Sequence, residues 1–329
     1  MRTRKNKHVR LFTRKITKKT VSVPKEVLPQ VSELLWLNRK PLKVKLVLND
    51  DTTTLDTSLT QIMFQLGADN DLLQTRCFAI CGPTAVGKTK FINALKDKYN
   101  VETINMDTMQ VYSGISWGTG RTNLATTKGS HIYGVYNPNK EFHIIDYLID
   151  VFKAVRTINA NGNTPLFEGA SKSLLSVISR IFPNLVIFGI RAVSDSNIIE
   201  KITKRTSLEL IKNVVTELAK EIQAKRIDPT SSVLRDNYMV YNLILTQFSR
   251  KELMDKTIKR RLDKDLSEKV NALTINAVRE NVRLHRNQLK NLLKFKQIIW
   301  FTNDDDSIKK LEKMYRLESI KPPQKVGAY

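Results

Sequence analysis

The sequence predicts an α/β fold: a P-loop NTPase-like open parallel sheet with a helical C-terminal part and a basic N-terminal extension. Three observations carry this. From residue 75 onward, short apolar runs alternate with helical stretches, as strand–helix–strand units do. A glycine-rich turn, GPTAVGKT, sits between the first of those runs and the first helix. From Ser194 to about Lys296 the pattern becomes almost wholly helical, with charged residues alternating around Leu, Ile and Val.

Along the chain, residues 1–25 hold ten Lys or Arg and no Asp or Glu. A like-charge block resists collapse, so a disordered basic arm is expected. It lacks acidic residues, as transit peptides do, but is poor in Ser and Ala. A cytoplasmic protein is therefore expected, with organelle targeting by residues 1–25 as the alternative. Residues 26–75 contain KVKLVL, which alternates like a strand, and the turn-rich NDDTTTLDTS. The expected division is a basic arm and small extension of unknown role over 1–75, then a P-loop domain with a helical C-terminal region over 76–329. TRCFAIC reads as a buried parallel strand, TKFINALKDKY as a helix and VETINM as a second strand. TPLFEG and NLVIFGI read as two further strands, with SLLSVISRIF between them as a helix.

Composition narrows the partners. The apolar fraction of 41% and charged fraction of 26% are ordinary for a globular chain. No apolar run approaches the roughly 20 residues that span a bilayer, so no membrane partner is expected. The net charge of +23 favours anionic partners such as nucleotides, diphosphates or nucleic acid. Cys77 and Cys81, the two cysteines, make neither a disulfide framework nor a four-ligand zinc site and read as buried, reduced thiols.

Residues 82–89, GPTAVGKT, match G-x-x-x-x-G-K-[ST] at every fixed position. Backbone amides of the turn and of the following helix N-terminus would face phosphates. Lys88 would supply positive charge, and the Thr89 hydroxyl would ligate Mg²⁺. Such a cradle does not name the phosphate's owner. An NTPase or kinase needs a second carboxylate at another strand end. NLVIFGI ends in Arg191 instead, and Glu168 at the end of TPLFEG is the substitute available. Asp107 follows the second strand, where open α/β sheets bind ligands, and can either act on a ligand or cap a helix.

GPTAVGKT, INMDTMQVYSG and WGTGRT together resemble the adenine isopentenyltransferases, a family that includes tRNA dimethylallyltransferases and the adenylate dimethylallyltransferases of cytokinin synthesis. The resemblance continues through SHIYGVYNPNKEFHIIDYL and TPLFEGASKSLL, and more faintly through EKITKRTSLEL and ENVRLHRNQLK, over roughly residues 76–300. It implies that the loop, with Gly82, Gly87, Lys88, Thr89 and Mg²⁺ on Thr89, holds the diphosphate of dimethylallyl diphosphate or its hydroxylated analogue. It implies further that Asp107 is the base for the adenine N6 amine and that Thr84 bonds near the reacting centre. Thr119, Arg121 and Ser171 fall where the family contacts the nucleotide. Arg191, Lys201 and Arg205 are candidates to complete the diphosphate pocket, the last two sharing a helix face at i, i+4. His131 and His143 read as structural. Asn281 and Leu284 stand where bacterial cytokinin enzymes carry Tyr and His.

The tRNA enzymes of this family insert a helical domain between the glycine-rich segment and the next core strand. Here the gap between EGASKSLL and NLVIFGI is far too short for a domain of about 50 residues. A free adenine nucleotide (AMP, ADP or ATP) is accordingly the expected acceptor, giving a cytokinin-forming transferase. A tRNA acceptor is the alternative, supported by the basic charge. A P-loop small-molecule kinase is the third reading.

Overall fold

The computed structural model describes residues 68–116, 128–140, 144–231 and 239–320, together with the backbone of 9–13 and 16–21. In the basic arm, β1 (Val9–Thr13) pairs antiparallel with β2 (Ile16–Val21), so this part of it is a hairpin and not a disordered tail. The like charges are interrupted by Val9, Phe12, Ile16, Thr17, Thr20 and Val21, residue types that favour strands. KVKLVL lies outside the described residues.

The main sheet has six strands: β3 (Phe78–Cys81), β4 (Val101–Asn105), β5 (Ser130–His131), β6 (Thr164–Gly169), β7 (Val186–Arg191) and β8 (Ile298–Thr302). All neighbours are parallel, in the order β5-β4-β6-β3-β7-β8. Every residue of β3 is buried, as a central strand covered on both faces requires. Its side chains alternate between two cores. Phe78 and Ile80 join Phe91, Ile92 and Leu95, while Cys77, Ala79 and Cys81 face the larger core that continues into the C-terminal helices. Both cysteines are free and buried, and burial pushes the Cys81 thiol up to about 12.

The helices are α1 (Asn70–Gln74), α2 (Lys88–Lys96), α3 (Ile144–Ala160), α4 (Lys172–Ile181), α5 (Asp195–Arg205), α6 (Leu208–Gln223), α7 (Met239–Gln247), α8 (Arg250–Met254), α9 (Ile258–Arg261), α10 (Ser267–Leu292) and α11 (Asp305–Ile320). Serines mark several of their starts. Ser171, Ser194 and Ser207 each accept an N–H from the third residue on, and Ser249 forms a capping box with Glu252. Such caps are worth about 1 kcal/mol each. The four strands expected from the sequence are present, as are α2 and α4. Strand β8 and helix α11, past the helical stretch, extend the sheet beyond that expectation. IIWFT is apolar enough to pair with β7, and Tyr315 of α11 packs on Phe78 with ring centroids 4.5 Å apart and the rings tilted by 47°. No helix among the described residues is long and apolar enough to cross a membrane.

Candidate active site

Three adjacent strands, β4, β6 and β3, deliver three chemically active groups to one end of the sheet. The loop after β3 turns through left-handed backbone at Ala85 (φ +62°) and Gly87 (φ +95°) before Lys88 opens α2. A side chain at position 87 would be strained there, which is the physical reason for glycine. The Lys88 Nζ donates to the carbonyls of Gly82 (2.9 Å) and Pro83 (3.2 Å), folding the ammonium back over the loop. Burial lowers the pKa of Lys88, and the charges of Glu168 and Asp107 oppose that shift.

Asp107 is positioned by Asn105. The Asp107 N–H donates to Asn105 Oδ1 (2.9 Å), and Asn105 Nδ2 donates to the carbonyls of Asp107 (3.2 Å) and Ile132 (3.0 Å). Tyr147 in α3 donates its hydroxyl to the Asn105 carbonyl at 2.8 Å, fixing the strand end from behind. The Asp107 carboxylate accepts the Met109 N–H at 2.8 Å. Burial raises its pKa above the ordinary aspartate value, against the pull of the Met109 N–H and of Lys88. On β6, Glu168 is buried and accepts the Tyr133 hydroxyl at 2.6 Å. Burial raises its pKa too, and Lys88 and Tyr133 counteract it. Gly169 is needed for these strands to close, since a Cβ there would lie 2.2 Å from the Met106 carbonyl oxygen.

These groups line one end of a pocket of about 420 Å³. Thr84, Lys88, Thr89, Asp107 and Glu168 form the polar end, with Lys201 and Arg205 of α5 beside it. The opposite wall is apolar: Leu210, Ile211 and Val214 from α6, and Met239 and Val240 from α7. Helix α10 closes the pocket with Asn281, Leu284 and Gln288.

Helix α10 also grips the phosphate loop. Gln288 Oε1 accepts the Thr84 N–H at 2.7 Å, and His285 Nδ1 lies 2.7 Å from the Thr84 carbonyl oxygen. His285 is 3% exposed, and burial lowers its pKa, favouring the neutral ring that donates Nδ1–H to that carbonyl. Both backbone groups of Thr84 are thus held by side chains some 200 positions away.

Of the residues singled out in the sequence, the structure brings Thr84, Gly87, Lys88, Thr89, Asp107, Lys201 and Arg205 to this pocket. Gly82 lies at its base, its carbonyl bonded to Lys88. Arg191 does not come to it: the side chain is exposed at the end of β7, on the far side of β3, and is not among the lining residues. Ser171 follows the lining residue Ala170 without lining the pocket itself, and its hydroxyl accepts the Leu174 N–H as the cap of α4. Thr119, Arg121 and His143 lie outside the described residues. His131 pairs with Glu102 at 2.6 Å, and Glu102 is held further by Asn161 and Asn163, a structural network at the sheet edge. Tyr133, His285, Gln288 and the apolar wall are site residues that the sequence pattern does not mark. Asn281, His285 and Gln288 recur at i, i+4 and i+7, so one helix face held the signal.

Comparison with known proteins gives this geometry a family. Residues 75–190 match the family model described as isopentenyl transferase. This segment is an isopentenyl transferase domain. A tRNA dimethylallyltransferase of Buchnera aphidicola subsp. Cinara cedri is 30% identical over 158 residues, 47% of this chain and 47% of that protein. The tRNA dimethylallyltransferase 2 of Bacteroides fragilis is 27% identical over 214 residues, 59% of this chain and 70% of the relative. The chain spans half or less of the length of the first curated relatives it matches. Among solved structures, the full-length tRNA isopentenylpyrophosphate transferase of Bacillus halodurans superposes with a TM-score of 0.55 at 17% identity, covering 74% of this chain and 96% of that one. The last comparison establishes a shared fold. The isopentenyl transferase domain begins one turn before β3 and runs through β7, so it holds the phosphate loop, Asp107 and Glu168. The apolar wall and the clamp from α10 lie beyond it.

Proposed function

We propose that this protein transfers a dimethylallyl group from dimethylallyl diphosphate to the N6 amine of an adenosine in tRNA. The observation that carries the chemistry is the meeting, in one pocket, of a phosphate loop, a buried carboxylate at Asp107 and an apolar wall. The diphosphate binds the loop amides, Lys88 and Thr89, with Lys201 and Arg205 at the rim, and the five-carbon chain lies against Leu210, Ile211, Val214 and Met239. The N6 nitrogen forms a bond to C1 of the prenyl chain as the C1–O bond breaks and diphosphate leaves. Asp107 accepts the N6 proton. Its raised pKa suits a base, because a carboxylate held above its ordinary range keeps a proton better.

Magnesium fits the polar end by the chemistry of its donors. The Thr89 hydroxyl and the Glu168 oxygen not engaged by Tyr133 are hard oxygen ligands beside a loop built for phosphate. When bound, the ion would offset the negative charge on the leaving diphosphate.

The tRNA acceptor is preferred to the free nucleotide because the relatives matched are named tRNA dimethylallyltransferases. One observation favours the free nucleotide as the second reading: α4 alone joins β6 to β7, with no inserted domain there. A single experiment separates them. The protein is incubated with dimethylallyl diphosphate, Mg²⁺ and either unmodified tRNA or AMP, and each pool is analysed by mass spectrometry for N6-prenylated adenosine. Product in the tRNA digest, absent with Asp107→Asn, is the expected result. Product from AMP alone would move the assignment to the second reading.

A further inference from the structure

Helix α10 has a second face, turned to solvent. Arg279, Arg283, Arg286 and Lys290 recur at i, i+4, i+7 and i+11, so they form one stripe along the helix. Lys294 and Lys296 extend it in the turn past the helix end, and all six are exposed. From Arg279 to Lys290 the stripe runs roughly 16 Å at about 1.5 Å per residue. The one carboxylate within this span, Glu280, pairs with Arg283 at 2.6 Å. Asp195 reaches Arg286 only at 4.0 Å. Much of the surface charge elsewhere is matched at close range, as in Lys98–Glu312, Arg226–Glu221 and the Arg261 pairs with Asp255 and Asp265. Among the described residues, no carboxylate forms an ion pair with Arg279, Lys290 or Lys294. The pocket-lining Asn281, Leu284 and Gln288 lie on the other side of the same helix, so α10 separates the stripe from the pocket by one helix width. Helix α10 also lies beside α5, whose exposed Lys201 and Lys204 extend the positive surface along the rim.

We infer that the exposed face of α10 is a docking surface for the phosphate backbone of an RNA whose target adenine enters the pocket. The inference rests on the RNA-acceptor reading and gives that acceptor a place on the molecule. Regular cations, largely without carboxylate partners, on the outer face of a helix whose inner face closes a site for one base are what a polyanion needs in order to be held while that base is presented. Arginine supplies three of the first four, and its planar donors suit phosphate oxygens.

The test measures tRNA affinity by fluorescence anisotropy at stepped KCl concentrations. The stripe variant is Arg279→Glu/Arg283→Glu/Lys290→Glu. The control variant, Lys256→Glu/Lys259→Glu/Arg260→Glu, makes the same charge change on exposed residues of another face. Affinity for dimethylallyl diphosphate, measured in each, reports whether the fold survives. The stripe variant is expected to bind tRNA at least tenfold more weakly. The slope of log affinity against log salt should fall by about 0.7–0.9 for each phosphate that the variant no longer neutralises. The control variant should stay within about twofold of wild type. Equal weakening in both variants would overturn the inference in favour of net charge alone. Undiminished binding by the stripe variant, in a protein that still prenylates tRNA, would overturn the stripe and leave the acceptor reading standing. Failure of the wild type to bind tRNA would overturn both. Stripe-dependent binding to phosphatidylserine vesicles with unchanged tRNA affinity would reassign the face to lipid.

Discussion

The strand-end half of the pocket is held by hydrogen bonds between groups close in the chain or in the sheet, whereas the helical half is held by packing between elements far apart. Asn105 fixes Asp107 from two residues away, and Lys88 bonds the carbonyls of its own loop. Leu210, Val214 and Met239 meet only because α6, α7 and α10 pack on one another. The first half carries buried charge and so works against stability. The second buries apolar surface and supports it. Chemistry and stability are thus separated across one cavity, and substitutions should reveal which half they fall in.

The largest effect is expected in the polar half. Asp107→Asn should lower kcat by about 10²–10⁴-fold, the usual contribution of a positioned base. Its stability effect should have the opposite sign. A carboxyl whose folded pKa is raised stabilises the fold below its unfolded value and loses that contribution as pH rises through the folded value. Ionised Asp107 is therefore a cost at neutral pH. The variant should melt about 2–4 °C higher at pH 7, with the gain vanishing below pH 4. A lower Tm at pH 7 would show that Asp107 is structural and would break the comparison.

In the apolar half, Val214→Trp fills the space assigned to the prenyl chain. Steady-state kinetics should show KM for dimethylallyl diphosphate rising by about tenfold or more while tRNA affinity holds. An unchanged KM would mean that the chain lies elsewhere. Gln288→Ala joins the halves, because it frees the Thr84 N–H. Removing a hydrogen bond worth about 1 kcal/mol should reduce kcat/KM for the donor by roughly five- to tenfold, with Gln288→Glu restoring part of it. The acid limb of the kcat/KM profile should lie above the ordinary carboxylate range, since burial raises both Asp107 and Glu168. A limb near pH 4 would place the base in open solvent. The smallest effect belongs to Arg191→Ala, which should change turnover by less than about twofold, as its side chain lies outside the pocket.

This division also explains what is legible in the sequence. The strands, the phosphate loop, Asp107 and the i, i+4 pair Lys201 and Arg205 are legible because each depends on local pattern: apolar runs of strand length, glycine at left-handed backbone, helical spacing. Arg191 falls outside the pocket lining because β7 and β4 flank β3 and β6 on opposite sides, an order that the end of a strand does not reveal in sequence. Ser171 shows the other limit. A serine after a glycine-rich segment serves a ligand or a helix start equally well in sequence, and the structure shows the second role in the bond from the Leu174 N–H. The hairpin in the basic arm escapes a reading that weighs charge above the β-branched residues between the charges. Tyr133, His285 and the apolar wall are not legible because their neighbours are distant in sequence.

The clamp on Thr84 also bears on when the site becomes competent as the chain is made. The phosphate loop leaves the ribosome early, but its two backbone bonds to His285 and Gln288 must wait for about two hundred more residues. Until then the loop lacks the partners that set Thr84, and the pocket lacks its apolar wall. A nascent chain therefore carries the motif before the pocket around it is closed.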